Sequence, residues 1–386
     1  MSSMSENNYR VNWIDGMKIN KNHFIESENA LISTINNAVK LNITPNNYGL
    51  LPNYNDADNA IDVIISLDGQ DTIEVVVNKC VAVTLGGYQI NITNQTKALL
   101  EQSGYVLKHQ YTLSENDTEW FVVIKVNPFK TIPVGNADPE EEPPRHPNTL
   151  PEYTIDVLPK SETSKKELGL YHLTIGKIVL VDDKPVLSED FIPPCSSVQS
   201  HGDLKFTYSE LGAFLNQMES YSMHIIQKIY QKKQTNDLAH MVLHLSQRTL
   251  QYLNDNISNF RLEDKNNPPI NMITKQVSLA RTIKSSLDVY VGTGKEDLLN
   301  YLTDWCDLNQ GAFENVLIDM IDLEYVHTDV NAALYKVSSF TRLMLSLFKK
   351  LNELDYIGKK SDSNIFVKEE VVDNPEVKSR RSFLLD

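Results

Sequence analysis

The hydrophobic pattern of the chain changes near residue 200, and this change limits the possible folds more than any other feature. Before it, short runs of β-branched residues recur, and several alternate apolar with polar positions as half-buried strands do. These runs are residues 61–67, 73–77, 81–85, 89–92, 120–126 and 171–180. Turn signals such as Asp68-Gly69 and Gly86-Gly87 separate them, without helical spacers between successive runs. The pattern therefore predicts an antiparallel β-sandwich rather than a parallel α/β sheet.

One helix is expected to interrupt this half, over about residues 23–41. Phe24, Leu31, Ile35 and Ala38 recur at helical spacing and mark one of its faces. The preceding segment carries a tryptophan and a glycine turn close to the N-terminus, which indicates that it is built into the first domain.

Residues 136–151 form a proline-rich, acidic segment that is expected to be neither helix nor central strand. Two interpretations are open: a solvated excursion between two strands, or an ordered arm that reaches a neighbouring subunit. The first is favoured because long loops are often simply mobile.

The second half of the chain has the periodicity of helices. Apolar residues recur at threes and fours from Leu211 to Ile257, and Asn-Pro-Pro at 267–269 then breaks the chain. Further helices are expected at about 273–287, 295–309, 313–324 and 329–354. If the first segment were continuous, it would span about 70 Å at about 1.5 Å per residue. A stripe that long predicts packing on the other helices and on copies of the same chain.

These patterns predict an α+β multidomain protein, an N-terminal antiparallel β-sandwich followed by an α-helical bundle. We expect a sandwich domain at 1–200, a helical neck at 201–292, a helical C-terminal domain at 293–357 and a tail at 358–386. The tail ends in three apolar residues, Phe383, Leu384 and Leu385, which are either a docking peptide or a frayed end.

Composition excludes several classes of function. The chain has 386 residues and a net charge of −15, which makes nucleic acids and anionic lipids poor partners. No run approaches the roughly 18 apolar residues of a membrane-spanning helix, and the first residues lack the order of a signal peptide. Cys80, Cys195 and Cys306 form neither a disulfide framework nor a C-x-x-C motif. We therefore expect a cytoplasmic protein.

Three short motifs suggest ligand sites, and each fails on its spacing. Residues 292–296 resemble a phosphate loop, but position 289 is Val and position 296 is Glu, so a helix boundary explains the glycines better. His240 and His244 have the spacing of zinc ligands, but position 241 is Met and a third ligand is not evident. Residues 53–58 are rich in oxygen atoms, but the glycine and glutamate of a calcium loop are absent.

Nucleophilic catalysis has no support in the sequence either. A G-x-S-x-G motif is absent, and Cys195 and Cys306 lack an obvious activating partner. We therefore expect no enzyme, no cofactor and no metal site, although a sequence cannot show which carboxylates converge.

The N-terminal run resembles the TssK family of type VI secretion system baseplate subunits. The family opens with a Trp, an acidic-Gly pair, an aliphatic or aromatic stretch and His-Phe. Here these are Trp13, Asp15-Gly16, residues 17–19 and His23-Phe24. Tyr48-Gly49-Leu50 follows the first helix, as in the family. The first half closes on Phe191-Ile192 with Pro193-Pro194, again as in the family, and helices follow immediately.

The resemblance implies a β-sandwich shoulder similar to phage receptor-binding proteins, a helical neck and a C-terminal head. It also implies a homotrimer without catalysis, whose shoulder docks on the TssF–TssG wedge and whose head contacts a membrane-side complex. Such a protein would be cytoplasmic and associated with the inner-membrane-docked secretion apparatus. Trp13 and Phe24 would then be packing anchors, Gly16 a turn, and Pro193-Pro194 a rigid exit from the last strand.

The chain departs from the family after the neck. It offers further helix and then a short tail, so the head is expected to be reduced, replaced or missing, and the membrane-side partner stays open. Two rival hypotheses remain. One is a phage-tail-like receptor- or carbohydrate-binding module, and the other is a hydrolase with a carboxylate site in the sandwich.

Overall fold

The computed structural model describes residues 8–52, 59–67, 72–113, 117–160, 169–182, 184–305 and 308–358. The chain divides into two compact units. The first, called the sandwich unit below, holds the residues up to Gly202 together with two later segments, Asn267–Pro269 and Val326–Asn331. The second, called the helical unit, holds the remaining residues.

The sandwich unit contains two sheets with antiparallel strand pairing. In the first sheet, β1, β2, β4 and β5 all pair with the long strand β3, and in the second the order is β7-β6-β8-β9. The strands are β1 (Gly49–Leu50), β2 (Ile61–Leu67), β3 (Thr72–Val83), β4 (Gln89–Ile92), β5 (Lys108–Thr112), β6 (Glu119–Val134), β7 (Asn148–Pro159), β8 (His172–Val181) and β9 (Lys184–Leu187).

The two sheets contact each other through an apolar contact at Gly176 and a hydrogen bond from Asn91 to Tyr153. Gly176 in β8 leaves room for Ile65 of β2, because a Cβ at position 176 would lie 2.6 Å from the Ile65 Cδ1 atom. Asn91 in β4 donates its backbone N–H to the Tyr153 hydroxyl of β7 at 3.4 Å. The predicted α+β architecture with an antiparallel sandwich is therefore confirmed.

Several details of this unit differ from the sequence-based expectation. The runs at 73–77 and 81–85 belong to one strand, β3. β7 begins at Asn148, so the end of the expected loop is strand. Pro151 is tolerated there because β7 is the edge of its sheet, where a missing N–H costs no ladder hydrogen bond.

A second helix in this unit, which is short, was not predicted. Besides α1 (Lys21–Lys40), the unit contains α2 (Asn94–Gln102). Thr93 caps α2 by accepting the Thr96 N–H at 3.2 Å, and Gly104 ends it with a φ of 83°. This N-cap and C-terminal glycine were the available sequence signal.

The proline-rich segment between β6 and β7 is internally ordered. Asp138 donates its backbone N–H to the Arg145 carbonyl at 3.1 Å, and Arg145 forms an ion pair with Glu141 at 2.5 Å. His146 Nδ1 lies 2.6 Å from the Gly135 carbonyl oxygen. These contacts lie within the segment and fit both interpretations, so the solvated excursion between two strands stays the prediction.

The helical unit contains six helices in the described part of the chain. They are α3 (Gly202–Gln231), α4 (Asp237–Leu262), α5 (Pro269–Asp288), α6 (Thr293–Thr303), α7 (Gln310–Ile321) and α8 (Val330–Glu353). The apolar segment from 211 to 257 is thus two helices, separated by a turn in which Lys233 has a φ of 50°. Most of its apolar stripe is buried within the unit, as are Phe214 and Phe340, whose rings are 6.5 Å apart.

Candidate interaction site

A tight turn shapes the N-terminal run of the sandwich unit. Met17 donates its backbone N–H to the Ile14 carbonyl at 3.3 Å, and Gly16 has a φ of 79°. Side chains with a Cβ are strained in this left-handed region, which is why Gly follows Asp15 here. The turn sends the chain from Trp13 towards α1.

Three rings of the N-terminal run, those of Trp13, His23 and Phe24, lie close together at the start of α1. The Trp13 ring lies 6.1 Å from His23 and 6.1 Å from Phe24, measured between ring centroids. His23 also caps the helix, because its Nδ1 accepts the Asn20 backbone N–H at 3.3 Å. Asn20 in turn accepts the Asn22 N–H at 2.9 Å, and together these contacts form a capping box.

Trp13 and Phe24 were expected to anchor the N-terminal run in the domain core, but their contacts are with each other and with His23. Trp13 is 47% exposed and Phe24 is 57% exposed, so they pack on each other rather than in the core. The segment is nevertheless held in place. Asn8 donates to the Ser33 hydroxyl at 2.9 Å, and Gly87 lies so near the end of α1 that an added Cβ would be 2.7 Å from the Asn36 carbonyl oxygen.

Helix α1 turns its apolar face outward, whereas an ordinary surface helix turns that face towards the core. Its buried residues are Ala30 and Asn36. The apolar residues at helical spacing point outward, and Leu31 and Ile35 are 60% and 52% exposed. The sequence predicted the spacing of this face, and the structure shows that the face is turned to solvent.

A shallow groove lies between the N-terminal run and α1. Its volume is about 510 Å³, and backbone and side chains from both segments line it, including Tyr9, Asn12, Met17, His23 and Glu26. The lining mixes apolar and polar groups.

The other signature residues meet at a second place, where the sandwich connects to the first long helix. Leu50 donates its backbone N–H to the Pro194 carbonyl at 2.7 Å, and Ser196 donates its N–H to the Leu50 carbonyl at 3.0 Å. Gly49, with a φ of 113°, lies so close to this segment that a Cβ would be 2.0 Å from the Pro194 oxygen. We call this contact of residues 48–50 with residues 193–196 the exit junction.

His327 completes the exit junction from a distant part of the chain. Its Nε2 lies 2.8 Å from the Tyr48 carbonyl oxygen, and its ring is 5.0 Å from the Tyr48 ring. A carbonyl oxygen only accepts, so Nε2 carries the proton. Sequence reasoning missed this residue because an isolated histidine 279 positions away carries no local pattern.

Burial controls the ionisation of the exit junction. It raises the pKa of Tyr48 to about 12 and lowers the pKa of His327, against a smaller opposing effect of the hydrogen bond to Tyr48. Burial also raises the pKa of the Cys195 thiol above its usual range. A thiol held neutral is a poor nucleophile, so Cys195 is a packing residue.

The motifs rejected on spacing have structural roles where the structure describes them. Gly292 precedes α6, and Lys295 pairs with Asp288 and Glu314, each at 2.8 Å. His244 meets the Tyr290 ring edge-on at 5.9 Å. Residues 53–58, Cys306 and residues 383–385 lie outside the described residues.

Within the described ranges, groups of three or more His, Cys, Asp or Glu residues with a geometry suited to a metal ion are absent. Within them also, helices with the length and apolarity needed to cross a membrane are not found.

The fold is similar to that of solved structures. A crystal structure of TssK matches 88% of this chain over 69% of its own, with a TM-score of 0.50 and 14% identity. The fold is TssK-like. The TssK–TssF–TssG baseplate subcomplex of a type VI secretion system matches with a TM-score of 0.42 at 14% identity, covering 90% of this chain and 99% of the matched one. TssK from the EAEC system, bound to a nanobody, matches with a TM-score of 0.42 at 13% identity, covering 84% and 96%. Neither the family models nor the curated proteins give a match.

Proposed function

We propose that this chain is a structural subunit of a type VI secretion baseplate. The observation that carries the proposal is the TssK-like fold over 88% of the chain. The placement of the signature residues supports it as well. Gly16 lies at a turn, Trp13 and Phe24 lie at the start of α1, and Pro193-Pro194 lie at the exit junction.

In this proposal the protein is a homotrimer on the cytoplasmic side of an inner-membrane-docked apparatus. Its sandwich unit docks on a wedge of TssF and TssG, and the opposite end faces a membrane-side component. It has no catalytic role. The family resemblance of the N-terminal run and of the exit junction supports these finer assignments.

Co-purification tests the wedge contact. The affinity-tagged chain is co-expressed with the TssF and TssG homologues of the same genome, and a parallel culture expresses those homologues alone. We expect both homologues to elute only with the tagged chain. Failure to retain either one would overturn the wedge assignment.

Light scattering tests the trimer. The isolated chain is expected to have the mass of three copies of the 43.9 kDa chain. A monomer at micromolar concentration would overturn the trimeric part of the proposal.

A deletion tests the tail. If Phe383, Leu384 and Leu385 form a docking peptide rather than a frayed end, removing residues 379–386 should abolish binding of one partner and leave the trimer intact. Unchanged binding of every baseplate and membrane-side partner would refute docking by the tail.

A further inference from the structure

The segment from residue 8 to residue 41 exposes an unusual concentration of large apolar side chains. Ten of the 26 exposed large hydrophobic residues in the described chain fall within it. They are Tyr9, Trp13, Ile14, Ile19, Phe24, Ile25, Leu31, Ile35, Val39 and Leu41, with exposures from 38% to 87%. We call this segment the N-terminal apolar segment.

The area involved is that of a protein interface. Ten side chains of this size, about half exposed, present on the order of 1,000 Å². One partner in a stable complex contributes about 800 Å². The N-terminal apolar segment is therefore large enough to form one side of a stable contact.

The orientation of α1 is the second argument. A helix that only covers the sandwich would turn its apolar face inward. Here the inward positions are small or polar, such as Ala30, Ser33 and Asn36, and the outward ones include Leu31 and Ile35. The apolar side of the helix is thus not covered by any part of the same chain that the structure describes.

The charge of the segment indicates which molecule covers it. The whole chain carries −15, so two copies repel each other over most of their surfaces. The N-terminal apolar segment holds four basic and three acidic residues and is nearly neutral. Copies can approach at this place without the like-charge penalty.

We propose that the N-terminal apolar segments of three copies of this chain pack against one another around the three-fold axis. The inference rests on the proposed trimer and adds the surface that forms it. A second copy is the favoured occupant because the nearly neutral apolar segment lets copies that carry −15 elsewhere come together there without charge repulsion. Head-to-tail contacts of this kind close into a ring when the rotation is threefold.

A charge substitution on the outward face of α1 tests the proposal. The double variant Leu31→Glu and Ile35→Glu changes exposed positions only. The matched control, Tyr105→Glu and Val106→Glu, changes two residues of the same unit that are 46% and 61% exposed. We expect light scattering to give a threefold lower mass for the first variant and the wild-type mass for the control. Far-UV circular dichroism should be unchanged in both.

A second measurement does not depend on disrupting the contact. Leu31 is replaced by the photo-crosslinking residue p-benzoylphenylalanine, with the same replacement at Val106 as the control. Irradiation of the purified protein is expected to give linked dimers and trimers for position 31 and monomers for position 106.

The outcomes separate this proposal from the function it rests on. If the protein with the crosslinker at position 31 is a trimer but does not crosslink, the proposed surface is wrong and the proposed trimer is unaffected. A wild-type monomer would overturn both the surface and the trimer, while co-purification still reports on the wedge contact. A charge variant that stays trimeric but loses TssF and TssG would make the wedge the occupant and refute self-contact.

Discussion

Replacing Gly49 with alanine tests the close approach of backbone to backbone at the exit junction. Gly49 has a φ of 113°, and an added Cβ would lie 2.0 Å from the oxygen and 2.2 Å from the carbon of the Pro194 carbonyl. Both atoms belong to the backbone, so a side-chain rotation cannot relieve the clash. The two segments must move apart.

The cost has two sources. A left-handed conformation costs a residue with a Cβ about 1–2 kcal/mol. Separation of the segments also breaks at least one buried hydrogen bond, such as that from Leu50 N–H to the Pro194 oxygen, at about 1–3 kcal/mol. We expect the Gly49→Ala variant to lose about 4 kcal/mol, which for a unit of this size lowers Tm by about 8–16 °C.

Gly104 provides a matched control. Its φ is 83°, but a Cβ at this position would meet nothing within 4 Å. Gly104→Ala should therefore lose only the conformational part, about 1–2 kcal/mol. Urea and thermal unfolding of both variants are followed by tryptophan fluorescence at one protein concentration. A Trp305→Phe background leaves Trp13 and Trp120, both in the sandwich unit, as reporters.

The comparison has a clear contrary outcome. If Gly49→Ala and Gly104→Ala unfold at the same urea concentration, the close approach at the exit junction contributes no stability. The assignment of residues 48–50 and 193–196 as the structural connection at the end of the sandwich would then be wrong.

Two further predictions concern buried ionisable groups. Burial lowers the folded-state pKa of His327, so the unfolded chain binds more protons below its usual pKa of about 6.5. The free energy of unfolding should then fall with decreasing pH by up to about 1.4 kcal/mol per pH unit. His327→Gln should remove this slope in a pH series of urea unfolding, and the same slope in both proteins would contradict the argument. Lys275 pairs at 2.6 Å with Asp264, whose side chain is 1% exposed. Lys275→Met should cost about 3–5 kcal/mol because it leaves a buried carboxylate unpaired. Restoration by a second change, Asp264→Leu, is expected in the same assay, and equal stability of the single and double variants would contradict this.

Patterns that repeat locally were predictable from the sequence. Alternating β-branched runs gave most of the strands, and apolar residues at threes and fours gave the helices α3 to α8. The missed elements are α2 and the strands β1, β5, β7 and β9, and their local signals are weak. α2 is short and largely polar, and β7 carries prolines that only an edge position tolerates. The break between α3 and α4 was missed because the turn that separates them is short, so the apolar residues on either side read as one continuous helical pattern.

The candidate site was predictable only in part. Trp13, Gly16, His23 and Phe24 are close in sequence, and the turn and the first turn of α1 bring them together. His327 could not be predicted as part of the exit junction, because its contact with Tyr48 depends on how a late segment returns to the sandwich unit.

The sequence by itself determined most of the helices and strands and the change from a β half to a helical half. The reason is that burial on one face imposes a period of two on strands and of 3.6 on helices. Only the tertiary structure decided which side of α1 faces the sheets. Periodicity locates an apolar stripe on a helix, but the direction in which the stripe points depends on what the neighbouring strands leave to be covered. In this chain they leave contacts for Ala30 and Asn36, and the stripe of Leu31 and Ile35 faces outward.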